Sequence, residues 1–215
     1  MVHVLGAGNS IFNQFISEIR DVNVQNDSMR FRRNMERMGE VIAYEISKTL
    51  SYKTTEVTTP LGIASVSVPK EQPVIATILR AGLPVHQGLL NYFDKAENGF
   101  ISAYRRHHKD GSFDIQVEYM SAPDLNGKTL ILCDPMLATG ASMVLAYQSL
   151  LKRGLPAHTD IVAIISSSEG LEYVKRNLPE NVTIWIGAID EELTAQSYIV
   201  PGLGDAGDLS YGVKI

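Results

Sequence analysis

Five short, almost uninterrupted apolar runs constrain this chain more than anything else in its sequence. They lie at 74–79 (VIATIL), 100–104 (FISAY), 129–133 (TLILC), 161–165 (IVAII) and 182–186 (VTIWI). Each is a strand's length, and none shows the apolar–polar alternation of a strand with one wet face. Strands of that texture are buried on both sides, which in a parallel sheet means helices above and below. The intervening segments 84–94, 140–153 and 168–177 read as such helices. Strand, helix, strand repeated along one chain is the α/β pattern. At 215 residues the chain fits one core of this kind, since single cores stop growing at roughly 250–300 residues.

The N-terminal part has a different rhythm. Residues 10–22 carry Ile11, Phe12, Phe15, Ile16 and Ile19 at helical spacing, with Ser10 placed to cap them. A second helix is expected from Asp27, with Phe31, Met35, Met38, Ile42, Ile46 and Leu50 recurring every three or four residues. Its arginines, Arg30, Arg32, Arg33 and Arg37, read as a solvated face. Residues 54–68 alternate around Pro60 and Gly62 and predict a hairpin. Residues 105–112 (RRHHKDGS) are expected to form a polar, basic loop, and 189–215 a long Gly-rich tail.

Composition excludes several classes. A net charge of −5 advertises no nucleic-acid or membrane surface. A single cysteine, Cys133, forbids an intrachain disulfide or a thiolate cluster and suits a reducing compartment. No run approaches the ~18 apolar residues of a membrane span. No secretory signal or lipidation motif is visible, so a cytoplasmic location is expected.

Three glycine motifs imitate phosphate loops. Gly202-Leu203-Gly204-Asp205-Ala206-Gly207 matches G-x-G-x-x-G, but too little chain follows for the helix and strand that a dinucleotide site needs. Gly6-Ala7-Gly8 has Ile11 where the third glycine belongs. Gly127-Lys128-Thr129 precedes a strand instead of following one and reads as a turn, with Lys128 entering the strand. His107 and His108 are adjacent, so on a regular element they point apart and make a poor metal pair.

The segments just beyond each strand's carboxyl end matter more, because open α/β sheets bind ligands there. One stands out: Asp134-Pro135-Met136-Leu137-Ala138-Thr139-Gly140-Ala141-Ser142, leading from a strand into a helix. Free N–H groups and the helix dipole attract an anion there, and Thr139 and Ser142 add hydroxyls. Asp134 suits a hydroxyl or a metal ion instead. An acid beside a phosphate cradle is the pattern a sugar phosphate requires, although Ser and Thr also serve as plain helix caps.

That run resembles the phosphoribosyl-diphosphate (PRPP) signature of phosphoribosyltransferases, in the form DPMLATGGS found in the uracil phosphoribosyltransferase family. Residues 78–83 (ILRAGL) resemble the family's first-strand loop, and Tyr104-Arg105 the start of its flexible loop. Residues 198–208 (YIVPGLGDAGD) resemble its uracil-binding tail, and Arg30-Phe31-Arg32 and Tyr44-Glu45 also match. The resemblance implies a type I phosphoribosyltransferase fold: a parallel central sheet flanked by helices, with a hood from the N-terminal hairpin region and the C-terminal tail. It divides the chain into N-terminal helices and hairpin (1–70), a PRPP-binding core (71–188) and the tail (189–215).

The resemblance also implies roles. Arg80 and Arg105 would grip the diphosphate, since guanidinium forks match phosphate oxygens. Gly82 would give the first loop room. Asp134 would hold ribose hydroxyls or lie near the reacting carbon, and the run from Pro135 through Met136, Leu137, Ala138, Thr139, Gly140 and Ala141 to Ser142 would bind PRPP. The backbone at Ile199, Gly204, Asp205 and Ala206 would read uracil, and Asp205 would help hold Mg²⁺ through water and PRPP. Catalysis would rest on Arg80, Arg105, Asp134 and Asp205. The loop around Arg106, Lys109 and Gly111 would close over the diphosphate, and Cys133 would be a buried bystander. The partners implied are uracil and PRPP, with a homodimer or higher homo-oligomer interfacing through the N-terminal helices, and no membrane or nucleic acid. Ala141 departs from the family's second glycine, which is harmless if the residue is already helical.

Overall fold

The structure, a computed structural model, describes residues 1–107 and 113–214, and of 103–107 and 113–116 the backbone alone. In chain order the elements are β1 (Val2–Val4), α1 (Ile11–Arg20), α2 (Ser28–Ser47), β2 (Tyr52–Thr59), β3 (Gly62–Pro69), β4 (Val74–Leu79), α3 (Leu83–Tyr92), β5 (Glu97–His107) and β6 (Phe113–Ser121). There follow β7 (Thr129–Cys133), β8 (Met136–Leu137), α4 (Ala141–Leu150), β9 (His158–Ser167), α5 (Ser168–Asn177) and β10 (Val182–Asp190). The tail adds β11 (Glu192–Leu193), β12 (Ile199–Val200) and α6 (Ala206–Tyr211).

All five apolar runs fall inside one eight-stranded sheet, ordered β1-β10-β9-β7-β4-β5-β6 with β8 beside β9. Every pairing is parallel except β5 with β6. Side chains leave a strand on alternate faces, so the runs of β4, β7, β9 and β10 each supply two cores, while that of β5 supplies Ile101 to one. Ile75, Ile131, Cys133 and Val162 face α1, α2 and α3. Val74, Ala76, Leu130, Leu132, Ile161 and Ala163 face α4 and α5. This double burial is why the runs show no alternation in hydrophobicity.

The helix starts follow the capping chemistry. The Ser10 hydroxyl accepts the Phe12 N–H at 3.2 Å. The Asp27 carboxylate accepts those of Met29 and Arg30 at 3.0 and 3.1 Å. The stripe Phe31, Met35, Met38, Ile42 and Ile46 is at most 1% exposed. That stripe packs inside the protomer, while Met29 and Tyr44 of the same helix remain exposed.

Four features differ from the sequence-based expectation. The polar loop at 105–112 is shorter than expected: β5 continues through Arg105 to His107 and pairs with Phe113 to Ile115, while 108–112, including His108, Lys109 and Gly111, lie outside the described residues. Strand β6 was unforeseen because it is an antiparallel edge whose polar residues dilute the apolar signal. The tail holds a small β11–β12 ladder and α6. The β2–β3 hairpin contributes nothing to the cleft's described lining, which on the hood side comes from the tail.

Gly6 is a packing glycine: a Cβ there would lie 2.5 Å from the Gly187 carbonyl oxygen, where β1 flanks β10. Among the described residues, no helix is long and apolar enough to cross a membrane.

Candidate active site

The carboxyl ends of β4 and β7, with Ser102 of β5, open into one cleft of about 820 Å³. Its first wall begins where β7 ends. The Asp134 N–H donates to the Val162 carbonyl at 3.0 Å, and the Pro135 carbonyl accepts the N–H groups of Ile164 and Ile165 at 3.0 and 2.9 Å. These bonds tie the turn to β9, and β8 continues the ladder with Met136 opposite Ile165. The chain then reaches Gly140, whose φ of +77° forms the N-cap of α4. Only glycine adopts that conformation without strain. The N–H of Ala141 donates to the Thr139 hydroxyl at 3.4 Å. Ser142 and Met143, whose N–H groups lie too early in α4 for an acceptor within the helix, line the cleft beside the positive end of the helix dipole.

Helix α5 buttresses this loop from behind. The hydroxyl of buried Ser167 donates to the Ala138 carbonyl and accepts the Gly170 N–H at 2.8 Å. The hydroxyl of buried Ser166 donates to the Ser167 carbonyl at 2.9 Å and lies 3.4 Å from that of Leu137. Contact is so close that a Cβ on Gly170 would lie 2.2 Å from the Ala138 oxygen, and one on Gly140 2.7 Å from the Gly170 oxygen.

The second wall follows β4. Arg80 donates from Nη2 to the Gly212 carbonyl at 3.0 Å and lies 3.5 Å from Asp208 Oδ1, while its buried Nε has no protein partner. The Leu79–Arg80 peptide is cis. Gly82 sits where a Cβ would lie 2.0 Å from Thr77 Oγ1, so the room expected of this glycine is needed against strand β4 itself. The third wall is the tail: Ile199, Gly204, Asp205 and Ala206, with Asp205 Oδ1 accepting the Asp208 N–H at 3.0 Å to start α6.

Of the residues singled out by sequence, Arg80, Asp134, Met136, Leu137, Ala138, Thr139, Gly140, Ser142, Ile199, Gly204, Asp205 and Ala206 line this one cleft. Pro135 and Ala141 do not. Pro135 is turned to β9 by its carbonyl, and Ala141 is the first residue of α4, within the helix. The Arg105 backbone lies on β5 opposite Ile115, and its side chain, like that of Arg106, is outside the described residues. Ser102, Gln196, Ser197 and Lys214 also line the cleft and were missed. None sits in a phosphate or nucleobase motif, and Ser197 and Lys214 are brought there only by the tail's path. Because Ala141 is already helical, Ala141→Gly is expected to change the PRPP KM by less than about tenfold in initial-rate assays.

Burial pushes Asp134 up to about 7, and Asp205 across the cleft adds repulsion, against the opposing pull of the Met136 N–H and Lys214. Burial pushes the neighbouring Cys133 thiol up to about 12, so it stays protonated and unreactive. With Asp134 raised from its ordinary 3.8 to about 7, the folded state binds more protons than the unfolded state in that interval. Stability therefore falls as pH rises through it. Asp134→Asn is expected to raise the thermal midpoint of the ligand-free protein at about pH 8, with the gain fading below about pH 4; differential scanning calorimetry across pH checks this.

The comparisons with known proteins point one way. Residues 8–213 match the family model described as uracil phosphoribosyltransferase. A uracil phosphoribosyltransferase from Porphyromonas gingivalis is 57% identical over 211 residues, covering 98% of each chain. One from Pyrococcus furiosus is 36% identical, covering 94% of this chain and 86% of its own. The solved structure of the AQ2163 protein from Aquifex aeolicus superposes with a TM-score of 0.87 at 29% identity, covering all of both chains. With its cleft at the carboxyl end of a parallel sheet and its match running almost from end to end, the chain belongs to the uracil phosphoribosyltransferase family.

Proposed function

We propose that this chain transfers the ribose 5-phosphate of PRPP to N1 of uracil, giving UMP and diphosphate, and that the three walls of the cleft divide the work. The observation that carries the assignment of roles is the convergence of an anion-binding helix start, a carboxylate, an arginine and a backbone-rich tail on one cavity. The loop from Ala138 to Ser142 binds the 5-phosphate through N–H groups and hydroxyls. Asp134 accepts hydrogen bonds from the ribose hydroxyls. The base lies against Ile199, Gly204, Asp205 and Ala206, where main-chain groups match the alternating donors and acceptors of a planar imide.

The C1′–oxygen bond to diphosphate breaks as the uracil N1 lone pair forms the new C–N bond on the opposite face. The diphosphate leaves with the bonding electrons, and the N1 proton passes to solvent. Arg80 turns from Asp208 and Gly212 to meet the developing charge, its unpartnered Nε included. Arg105 adds a second guanidinium from β5. Most of the acceleration comes from positioning and charge neutralisation, without a covalent intermediate.

The donor set fits Mg²⁺. Asp134 and Asp205 both line the cleft and repel one another, which a hard cation held there would relieve. Asp205 would hold the ion through water, and when bound it neutralises diphosphate charge. A homo-oligomer is part of the same proposal. The apolar stripe of α2 is buried, whereas Leu61 and Ile63 on the hairpin are 100% and 72% exposed, so the hairpin is the better interface.

The test is product formation from PRPP and Mg²⁺ with uracil, cytosine, hypoxanthine and orotate in parallel. UMP from uracil alone is expected. Turnover of another base in preference to uracil, or PRPP binding with no turnover of any base, overturns the reading.

A further inference from the structure

The base-binding tail is held in place by two residues outside every motif in the sequence. Arg20, in the last turn of α1, forks onto Asp190 at the end of β10. Nη1 lies 2.8 Å from Oδ2 and Nη2 2.8 Å from Oδ1. Both partners also grip Gly202: Asp190 Oδ2 accepts its N–H at 2.9 Å, and Arg20 Nη1 donates to its carbonyl at 2.8 Å. Both backbone polar groups of Gly202 are therefore used in this clamp. Asp190 is 7% exposed. Burial alone raises its pKa, yet Arg20 and the Gly202 N–H outweigh that and hold the carboxyl below its ordinary value.

Gly202 is the pivot of the base wall. Its φ is +56°, and a Cβ on it would lie 2.1 Å from the Ile199 carbonyl oxygen, so the turn folds directly onto Ile199. Gly204, also at positive φ, and Asp205 follow it immediately. A shift of Gly202 therefore displaces backbone groups on both sides of the base. Among the described residues, neither Arg80 nor Ala138 to Ser142 bonds directly to Arg20, Asp190 or Gly202; the link on that side is the Ser168 hydroxyl of α5, which donates to the Asp190 carbonyl at 3.5 Å. Resting on the reading of this tail as the nucleobase wall, we infer that Arg20 and Asp190 are positioning residues that set nucleobase affinity independently of PRPP affinity. The fork suits the task because two charge-assisted bonds fix orientation as well as distance.

Arg20→Gln removes the fork but leaves Asp190 able to accept the Gly202 N–H, and Arg20→Lys keeps the charge without the fork. In Arg20→Gln the uracil KM should rise about tenfold or more with the PRPP KM within about twofold, and Arg20→Lys should fall between it and wild type. Hydrogen exchange in the ligand-free variants should quicken at 202–206 and stay unchanged in β4 and β7. If Arg20→Gln does not fold, Arg20→Lys carries both readouts. Equal rises in both KM values, or an unchanged uracil KM with unchanged exchange at 202–206, overturn the inference. If the wild-type protein does not use uracil, the functional reading fails instead, and the exchange data still decide whether the clamp holds the tail.

Discussion

Arg80→Ala lowers kcat/KM for PRPP by about a hundredfold or more, since it removes a donor aimed at charge that develops in the transition state. The same change shifts the thermal midpoint by no more than about 3 °C. The contrast follows from what Arg80 does without substrate. Its side chain is 40% exposed, and its carboxylate neighbour Asp208 is 3.5 Å away. Exposed pairs of that kind contribute little to stability. Within the diphosphate complex the same guanidinium meets a polyanion in a cleft from which water is partly excluded, and each bond there counts for more. Steady-state kinetics beside calorimetry measures both quantities. Comparable losses of activity and stability would mean that Arg80 is a structural residue.

The second large effect is expected at a residue that touches no substrate. Gly170→Ala destabilises the protein by about 1–3 kcal/mol through overpacking. It also raises the PRPP KM by about a hundredfold, the cost of displacing a binding group by about 1 Å. The added methyl would stand 2.2 Å from the Ala138 oxygen and 2.6 Å from that of Leu137. Helix α5 cannot retreat without breaking the bond from its N-cap hydroxyl, on Ser167, to the Ala138 carbonyl, so the loop at Leu137 and Ala138 must give way. Gly8→Ala is the control, because a Cβ there meets nothing within 4 Å. Isothermal titration with PRPP and chemical denaturation check the two effects. Unaltered PRPP binding in the Gly170 variant would show that the loop does not need its present position.

Much of this architecture was legible in the sequence, for identifiable reasons. A strand buried on both faces must be apolar throughout, so the five runs announced the sheet. Caps need short polar side chains before an apolar stripe, so Ser10 and Asp27 marked their helices. The turn from Asp134 to Ser142 stood out because an anion site at a helix start calls for a particular order of residue types, and Gly140 carries the positive φ that the turn needs.

What escaped depends on contacts distant in sequence or on weak local signals. Arg20 and Asp190 are 170 residues apart. Ser167 looks like the polar end of a strand, and nothing local shows that its hydroxyl holds the loop at Ala138. Strand β6 is an edge with mixed polarity. Helix α6 is too short for periodicity to reveal it, and it brings Lys214 back to the cleft.

The most direct measurement is a crystal structure of the protein with UMP and diphosphate bound. The account predicts the phosphate of UMP on the backbone N–H groups and hydroxyls between Ala138 and Ser142. It places the ribose hydroxyls on Asp134, the uracil ring against Ile199, Gly204, Asp205 and Ala206, and the diphosphate on Arg80. A nucleotide bound with its base on the phosphate loop, or outside this cleft altogether, would contradict it.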